Sequence, residues 1–491
     1  MLNKVVNLDD ALESLRLNKT EDALKIFHEI LKSDSKNLSV MTHISNIYRA
    51  KKDIDKYNIY LKKIFLIDKK NYKVLNNLAL TYKELNKYEL AEKYFLKSLQ
   101  INKEYISVNF NLALLYEEKG ELEKAKKYYL AVIKLDKKFI PAYYNLQRID
   151  KNLISDESYK FIEKILAEYG EKKNNKYISY GYFILANKIE KKNTDQEIKY
   201  LLKGHDMFFN SNYLTNKHSC NLWLNSIPSF VKKKIQYTEE KASKIKRKLE
   251  PIFIFGLPRS GTTLVETIIS SGQEKVPTIG EVSIIHNSLI NLINKKQIQE
   301  NKDSILISFK TLNETINHNY QKLEILKDDI GNKFIDRALV NFFFYKFIFK
   351  IFPNARIVHC NRNYFHNLIA IYKQCLENLP WTHKIENIIK YITLYDNTIS
   401  QIKIEYPNNI LTVNLDDLTN EPEKISKNIM HFCDLKWSVD VLNFYTRKDL
   451  ISSTASNIQI RNKIYKYDNN NFEKYKEHFS KFIPENSPIN I

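Results

Sequence analysis

A short stretch in the middle of the chain combines glycine, hydroxyl and arginine residues at the spacing of an anion-binding loop. Gly256 and Gly261 are separated by four residues, and the position after the second glycine is Thr262. The stretch offers a ligand the groups of Pro258, Arg259, Ser260, Gly261, Thr262 and Thr263. Loops that bind nucleoside triphosphates carry Lys after the second glycine, where it reaches the β- and γ-phosphates. The loop therefore predicts a site for a different anion, with Arg259 supplying the positive charge.

Such a loop holds an anion only if a strand leads into it and a helix leaves it. The run Ile252–Phe255 is continuously apolar and β-favouring, which is typical of a buried strand in a parallel sheet. The sequence TTLVETII, which starts at Thr262, predicts a helix whose positive end faces the loop. We therefore expect residues 250–491 to form an α/β domain with a P-loop-like parallel sheet.

The first part of the chain repeats itself with a period of 34 residues. Small and aromatic residues recur in register at Ala11, Ser45, Ala79 and Ala113, at Ala23, Tyr57, Ala91 and Ala125, at Tyr48, Tyr82 and Tyr116, and at Tyr60, Tyr94 and Tyr128. A period of this length with paired amphipathic helices is the tetratricopeptide signature, so we predict about four repeats over 1–140, stacked into an α-helical superhelix. Such stacks leave a concave groove, and we expect a protein or peptide partner there.

Helical patterning continues between the repeats and the loop, but the repeat register is lost. We interpret residues 141–249 as a helical bridge between the two domains. The bridge runs into the basic stretch KASKIKRKLE at 241–250, which predicts an exposed linker helix.

The chain is strongly basic, with 77 Lys and Arg against 57 Asp and Glu and a formal net charge of +20. This excess suits an anionic ligand or partner. Lysines are spread along the whole chain, however, in the pattern of solvated helix faces. Charge alone therefore does not indicate nucleic-acid binding, and we expect no nucleic-acid partner.

The cysteines and the apolar segments indicate where in the cell the protein is expected. The cysteines are scattered without a CxxC pair, at Cys220, Cys360, Cys375 and Cys433. This pattern suggests neither a zinc site nor a disulfide framework, so we expect no metal and a cytoplasmic location. Met1 is followed by polar sequence without the apolar core of a signal peptide. The most apolar stretch, 341–352, contains Lys346 and Lys350 and is shorter than the roughly 20 residues of a membrane span, so we expect a buried helix and no transmembrane segment.

The stretch GLPRSGTTL at 256–264 resembles the 5′-phosphosulfate loop of sulfotransferases that use 3′-phosphoadenosine 5′-phosphosulfate (PAPS). The resemblance implies that the loop holds one phosphate that carries a sulfuryl group. It also accounts for the missing lysine, because such a donor has no γ-phosphate to neutralise and no Mg²⁺ to place. Tetratricopeptide repeats ahead of such a domain form a bacterial architecture related to the tyrosylprotein sulfotransferases.

The resemblance implies a second anion contact at the end of another strand. The segment 354–374 predicts a strand over Arg356–Cys360 and a helix through Tyr372, with Arg362 between them. In the family this arginine binds the 3′-phosphate of the nucleotide, a role that suits a bidentate guanidinium. The family usually has a second phosphate donor, Ser, eight residues later, and here that position is Ala370.

Further segments extend the resemblance over about 250–480. The sequence FIDRALVN at 334–341 resembles the family's Asp-Lys-x-Pro-x-Asn motif, with Arg337 in place of Lys and Leu339 in place of Pro. The segment 410–437 resembles the family's strand, acidic pair and helix.

The last resembling segment is TASNIQIRNKIYKY at 454–467. It retains Ser456 and Arg461, whereas Lys463 replaces a usual Pro, and DNNNF replaces the Gly-Arg-Trp that normally follows. The resemblance makes Ser456 a candidate donor to the leaving group and Arg461 a candidate nucleotide contact.

Sulfuryl transfer needs a base for the proton of the acceptor. In VPTIGEV at 276–282, Glu281 follows a glycine downstream of the loop helix, in a place comparable to that of the catalytic glutamate of tyrosylprotein-type members. We predict Glu281 as the base, and a surface carboxylate is the alternative. His286 and His359 are other candidates because cytosolic sulfotransferases use His, although His359 lies in a predicted strand, where a lone His is usually a core residue.

The charge that develops on the leaving phosphate needs a positive group. Arg337 is the candidate for stabilising the bridging oxygen. The alternative for Arg337 is an ion pair with Asp336 that caps a helix.

These observations predict a PAPS-dependent sulfotransferase that acts on a hydroxyl acceptor, with protein tyrosine, a sugar or a small alcohol as candidates. The repeats would recruit the acceptor or a partner. The rival interpretation is a pseudo-enzyme scaffold with a degenerate transferase domain, which Ala370, Arg337, Leu339 and the missing Gly-Arg-Trp favour. A nucleotide kinase is the third interpretation, disfavoured by the absent loop lysine and by the lack of an obvious Mg²⁺ carboxylate in the sequence.

Overall fold

The computed structural model describes residues 7–169, 175–238, 249–323, 332–466 and 469–490 of the chain. It divides into two compact units, Met1–Lys151 and Asn152–Ile491. In the residues described, the first unit contains helices only, and the second contains helices and two sheets.

The helices of the first unit follow the predicted period. They are α1 (Leu8–Arg16), α2 (Thr20–Ser33), α3 (Leu38–Ala50), α4 (Ile54–Ile67), α5 (Tyr72–Glu84), α6 (Tyr88–Ile101), α7 (Ile106–Lys119), α8 (Leu122–Leu135) and α9 (Ile140–Ile149). Helices α3, α5, α7 and α9 start at successive intervals of 34 residues, at Leu38, Tyr72, Ile106 and Ile140. Each of α1, α3, α5 and α7 packs against the helix that follows it. The predicted tetratricopeptide architecture is confirmed.

The recurring residues make the contacts within these helix pairs. Ala11, Ala79 and Ala113 have no exposed surface, and Ser45 is 2% exposed. Tyrosine rings stack between the two helices of a repeat, Tyr48 on Tyr60, Tyr82 on Tyr94 and Tyr116 on Tyr128, with ring centroids 5.9, 5.2 and 5.6 Å apart. The small residues therefore allow close helix approach, and the aromatic residues fill the remaining space.

The second unit opens with helices that precede its sheets. They are α10 (Asp156–Tyr169), α11 (Lys176–Ile189), α12 (Thr194–Ser211), α13 (Tyr213–Asn221), a π-helical turn (Leu222–Ser226) and α14 (Ile227–Lys232). The predicted linker helix at 241–250 falls mostly on residues 239–248, which lie outside the described residues. Its last residue, Glu250, begins a strand.

Seven strands are described in the second unit: β1 (Lys234–Tyr237), β2 (Glu250–Gly256), β3 (Ile298–Glu300), β4 (Ser304–Ile307), β5 (Lys333–Asp336), β6 (Arg356–Asn361) and β7 (Ile410–Asn414). The main sheet has the order β5-β2-β6-β7, with every pair parallel. A smaller sheet has the order β1-β4-β3, in which β1 is parallel and β3 antiparallel to β4. The parallel sheet predicted from the apolar run at 252–255 is confirmed.

Ten helices of the described residues follow the loop along the chain. They are α15 (Thr262–Ser270), α16 (Ile284–Asn294), α17 (Phe309–Gln321), α18 (Tyr345–Ile351), α19 (Tyr364–Tyr372), α20 (Ile385–Glu405), α21 (Leu415–Asn420), α22 (Pro422–Phe432), α23 (Asn470–Glu473) and α24 (Lys476–Ser480). A core made by side chains such as Ile254, Ile268 and Val358 joins the sheet to α15. Because all four strands run the same way, their carboxyl ends meet at one edge, where open α/β sheets bind ligands.

The apolar stretch at 341–352 is buried in the second unit. It forms a 3₁₀ turn over Asn341–Phe344 and then α18, and its Phe342 and Phe347 are at most 1% exposed. Within the described ranges, no helix is both long and apolar enough to cross a membrane.

The division into compact units differs from the expected boundaries at 140 and 249. Helix α9 packs on α8 and so extends the repeat unit to Lys151. From Asn152 onward, the predicted bridge belongs to the second unit, in which β1 adds a parallel strand beside β4. Glu197 of α12, which is 1% exposed, also accepts a hydrogen bond of 2.6 Å from Tyr475 near the end of the chain. These long-range contacts could not be seen in the helical periodicity.

Candidate functional site

The two loop glycines lie where a side chain has no room. A Cβ on Gly256, at the end of β2, would overlap Thr262 and Ser260. Gly261 has φ of +94°, and a Cβ there would lie 2.8 Å from Leu415. The loop therefore turns tightly onto α15, whose first turn presents backbone N–H groups to an anion.

Two buried polar atoms at the loop lack partners in the described part of the chain. Ser260 is 2% exposed, and its Oγ has no hydrogen-bond partner. Asn367 of α19 donates from Nδ2 to the carbonyl of Pro258 at 2.8 Å, while its buried Oδ1 has no partner. Because buried polar groups are nearly always hydrogen-bonded, an unpaired hydroxyl at the loop points to a ligand.

Arg259 adopts a left-handed conformation, with φ of +69°, and its side chain turns toward the C-terminal segment. Its Nη1 donates to Ser456 Oγ at 2.6 Å, and its Nη2 donates to Gln459 Oε1 at 3.0 Å. Both acceptors are neutral, so the positive charge of Arg259 is not cancelled by these two partners. The structure thus brings together the predicted residues Arg259 and Ser456.

Arg362 reaches the same loop from the end of β6. Its Nη1 donates to the carbonyl of Arg259 at 3.0 Å, and it is 7% exposed. The ring of Phe472 lies 5.1 Å from its guanidinium carbon and stacks on His366, with centroids 4.8 Å apart. Phe472 belongs to DNNNF, so the segment that replaces Gly-Arg-Trp places an aromatic ring against this arginine.

A cleft with about 550 Å³ of empty space, open to solvent, lies between these elements. Its lining includes Arg259, Gly261, Arg362, Ser456, Gln459 and Lys463. The structure thus gathers the loop, the second arginine and the C-terminal segment around one cavity, which we call the anion site. The anion site comprises residues 256–263, Arg362, Ser456 and Gln459.

Three of the residues predicted to contact the nucleotide, Arg461, Thr262 and Thr263, are not among the residues that line the cleft. Arg461 is not among the cleft-lining residues, and its Nη2 donates to the carbonyl of Leu450. Thr263 donates to Thr454 Oγ1 at 3.3 Å, which ties the loop helix to the C-terminal segment, and Thr262 begins α15 beside it. Lys463, which stands in place of the usual Pro, does line the cleft.

A second group of charged residues lies beside the loop helix, and we call it the carboxylate cluster: Glu266, Arg337 and Glu281. The Nε of Arg337 donates to Glu266 Oε2 at 2.7 Å, and its Nη1 donates to Glu281 Oε1 at 2.6 Å. The side chain of Arg337 is 5% exposed, that of Glu266 10% and that of Glu281 58%. Burial disfavours the charge on Arg337, but the two carboxylates outweigh this and raise its pKa. The structure thus joins the predicted Glu281 and Arg337 to a third residue.

Glu266 was missed by the sequence analysis. It also accepts a hydrogen bond from Thr278, in the segment that leads to Glu281. A lone acidic residue within the apolar helix TTLVETII was the available signal. Its meaning depended on β5, which brings Arg337 next to α15.

Asp336 is not the ion-pair partner of Arg337 that the alternative required. Its carboxylate accepts hydrogen bonds from Tyr320 at 2.6 Å, from Asn341 at 2.7 Å and from the backbone N–H of Ala338 at 3.0 Å. Burial raises its pKa to about 6. Asp336 and Asn341 therefore shape the turn after β5 and leave Arg337 to Glu266 and Glu281.

The two candidate histidines are kept neutral by their surroundings. His359 lies within β6, 2% exposed, with Nδ1 3.2 Å from Thr412 Oγ1, and burial lowers its pKa to about 3. His286 lies on α16 against Phe344, with ring centroids 5.6 Å apart, and burial lowers its pKa as well. Among the described residues, no group of three or more His, Cys, Asp or Glu is placed to hold a metal ion.

Comparison with known families identifies the two regions. Residues 251–439 match the family described as "Sulfotransferase family", and residues 72–105 and 106–139 each match "Tetratricopeptide repeat". The chain therefore carries a sulfotransferase-family domain behind tetratricopeptide repeats.

Individual relatives are more distant. An uncharacterized protein of Aquifex aeolicus (strain VF5) is 27% identical over 341 residues, which cover 67% of this chain and 44% of that protein. The chain thus spans less than half the length of this relative.

Similar solved structures include proteins of both kinds. The sulfotransferase domain from the Synechococcus PCC 7002 olefin synthase is 16% identical with a TM-score of 0.34, covering 51% of this chain and 94% of that one. The sulfotransferase domain from the curacin biosynthetic pathway is 16% identical with a TM-score of 0.32, covering 50% of this chain and 95% of that one. MamA is 20% identical with a TM-score of 0.29, covering 33% of this chain and 95% of that one.

Proposed function

We propose that the protein is a sulfotransferase that moves a sulfuryl group from PAPS to a hydroxyl acceptor. The proposal rests on one observation above all: the unpaired Ser260 hydroxyl and the two arginines, Arg259 and Arg362, meet at the loop where α15 begins. This arrangement suits an anionic ligand, and it lies within the region that matches the sulfotransferase family.

The residues of the anion site fit the phosphates of such a donor. The loop N–H groups, the Ser260 hydroxyl and Arg259 would hold the 5′-phosphosulfate, together with Thr262 and Thr263 at the start of α15. Arg362 would hold the 3′-phosphate. Ala370 offers no hydroxyl, so Lys463 of the cleft is the available additional positive group.

Arg461 supports the anion site indirectly in this proposal. Its contact with the carbonyl of Leu450 holds the segment that carries Ser456 and Gln459. Pro258 has a similar supporting role, because its carbonyl fixes Asn367 at the loop.

The chemistry assigns different tasks to the two groups of residues. Glu281 accepts the proton of the acceptor hydroxyl, since its side chain is exposed and the described residues give hydrogen bonds to only one of its oxygens. Arg337 stabilises the charge on the bridging oxygen, and Ser456 donates to the same leaving group. The donor supplies the sulfuryl group, and the protein positions the two reactants.

The repeats are assigned to the acceptor or to a partner protein. Tetratricopeptide stacks bind peptides in their concave groove, which favours protein tyrosine as the acceptor class. The four cysteines are buried and scattered along the chain, in keeping with a reducing, cytoplasmic location.

A direct assay tests the proposal. The purified chain is incubated with ³⁵S-labelled PAPS and a panel of tyrosine peptides, sugars and small alcohols, and label transfer is measured. Transfer to a hydroxyl acceptor that is lost in Glu281→Gln supports the proposal. Tight binding of adenosine 3′,5′-bisphosphate without transfer to any acceptor would support the pseudo-enzyme interpretation instead.

A further inference from the structure

Glu266 is a buried carboxylate in an otherwise apolar stretch of α15. Its neighbours along the helix, Val265 and Ile269, belong to the core and are at most 1% exposed. Burying a carboxylate is unfavourable unless a partner offsets the loss of hydration. Arg337 is that partner, at 2.7 Å, and it comes from a different element, β5 and the turn that follows it.

Neutralising Arg337 requires only one of the two carboxylates. The ion pair with Glu281 at 2.6 Å would already do so at the exposed side. Glu266 adds a second negative charge from the buried side and leaves the cluster with one surplus negative charge. The cluster thus differs from a simple ion pair, in which one carboxylate neutralises one guanidinium.

The geometry indicates what the surplus does. Without Glu266, Glu281 would be the one carboxylate that contacts the guanidinium of Arg337 among the described residues. Glu266 takes up the Nε side of that guanidinium and turns Nη1 toward Glu281. Thr278, which donates to Glu266, lies three residues before Glu281 in the same segment. Glu266 is thereby connected to Glu281 in two ways. Both carboxylates contact Arg337, and Glu266 also holds Thr278 in the segment that carries Glu281.

We propose that Glu266 is a positioning residue that offsets the charge of Arg337, fixes its orientation and keeps Glu281 able to accept the proton of the acceptor. This inference rests on the proposed function, because it assumes that Glu281 is the base.

Other titratable groups that face Arg337 do not replace Glu266 in this role. Asp336 on β5 is saturated by Tyr320, Asn341 and the Ala338 N–H. Cys360 on β6 is buried, and burial raises the pKa of its thiol, so it stays neutral.

The primary test measures the proton affinity of Glu281 without turnover. The carboxyl carbons of ¹³C-labelled glutamates are titrated by NMR in wild type and in Glu266→Gln, with Glu281→Gln to assign the signal. Gln preserves the shape of Glu266 but removes its charge, so the carboxyl signal of Glu281 is expected to titrate at lower pH in this variant. Glu266→Asp keeps a negative charge near Arg337, so the Glu281 signal in this variant should titrate close to its wild-type pH. An unchanged pKa of Glu281 in Glu266→Gln would overturn the inference.

The second test measures kcat at saturating donor over a range of pH. In Glu266→Gln the acid limb of kcat should move to lower pH, and kcat on the plateau should fall roughly 3–10-fold because a weaker base is a poorer catalyst. The KM for the donor should not change. Glu423→Gln, which removes an exposed ion pair with Lys427 on α22, is the matched control and should match wild type.

The outcomes separate this inference from the proposed function. A fall in kcat without movement of the acid limb would mean that Glu266 serves only the fold, and would contradict the inference. A wild type that transfers nothing would refute the proposed function, while the NMR titration would still decide whether Glu266 controls Glu281.

Discussion

The anion site and the carboxylate cluster lie about one turn apart along the same loop helix, yet their arginines contact acceptors of different charge. In the anion site, Arg259 donates hydrogen bonds to the neutral acceptors Ser456 and Gln459. In the carboxylate cluster, Arg337 is paired with two carboxylates. The first arrangement suits anion binding and the second suits proton acceptance.

Under the proposed function, this difference assigns donor binding and the chemical step to different parts of one helix. Its first turn, at Thr262, faces the anion site, and Glu266 one turn later faces the carboxylate cluster. Substitutions in the two groups should therefore affect different steps, and each of the following experiments tests that separation.

The largest expected effect is on the chemical step. Glu281→Gln keeps the shape of the side chain but cannot accept a proton, so the rate of sulfuryl transfer should fall roughly 10²–10⁴-fold, the usual contribution of a positioned base. Nucleotide affinity should hardly change. Single-turnover kinetics at saturating donor measure this, because binding losses do not then mask the chemistry. Wild-type turnover in this variant would exclude Glu281 and direct attention to His286.

A nucleotide comparison tests the anion site as a whole. Adenosine 3′,5′-bisphosphate should stabilise the protein, by about 2.7 kcal/mol at a concentration of 100 times its Kd, because it binds the native state only. ATP with Mg²⁺ should stabilise it far less, since the loop has Thr262 in place of the lysine that nucleoside triphosphates require. Thermal unfolding with each ligand gives the answer. Equal shifts, or a larger shift with ATP, would contradict the assignment of the anion site.

Removing the arginines of the anion site should weaken binding and spare chemistry. Arg259→Ala and Arg362→Ala should each lower the affinity for adenosine 3′,5′-bisphosphate by about 1.5–3 kcal/mol, as expected for a charge-assisted hydrogen bond. Isothermal titration calorimetry measures this loss. Lys427→Ala, on the exposed face of α22, is the control for an unspecific effect of charge.

The same titration applied to Arg461→Ala would sharpen the comparison. As a residue that holds the C-terminal segment through Leu450, Arg461 should affect stability more than affinity. An affinity loss as large as that of Arg362→Ala would instead make Arg461 a direct nucleotide contact.

The smallest effect should come from the repeats, because they are expected to act on the acceptor alone. A chain that begins at Asn152, where the second compact unit begins, should bind the nucleotide like the full chain. Its turnover should fall on the native acceptor and stay unchanged on a small hydroxyl compound. Unchanged turnover of this soluble chain on the native acceptor would remove the repeats from substrate recruitment.

The repeats, the first strand of the main sheet and the loop could be predicted from local sequence patterns. The 34-residue register identified the repeats because each repeat uses the same small and aromatic residues, such as Ala79 and Tyr82, for the same contacts. The apolar run into Gly256 identified the strand and the loop because strand, turn and helix are all encoded within about 20 consecutive residues.

The remaining features depend on residues that are far apart in the chain. Arg259 meets Ser456 across 197 residues, and Glu266 meets Arg337 across 71. The boundary of the second unit likewise follows from contacts such as β1 with β4 and Glu197 with Tyr475. The sequence by itself determined the repeats, the loop and the parallel strands, because their signals are local and periodic. Only the tertiary structure decided which charges face each other, since the order of the strands brings Arg337 beside the loop helix.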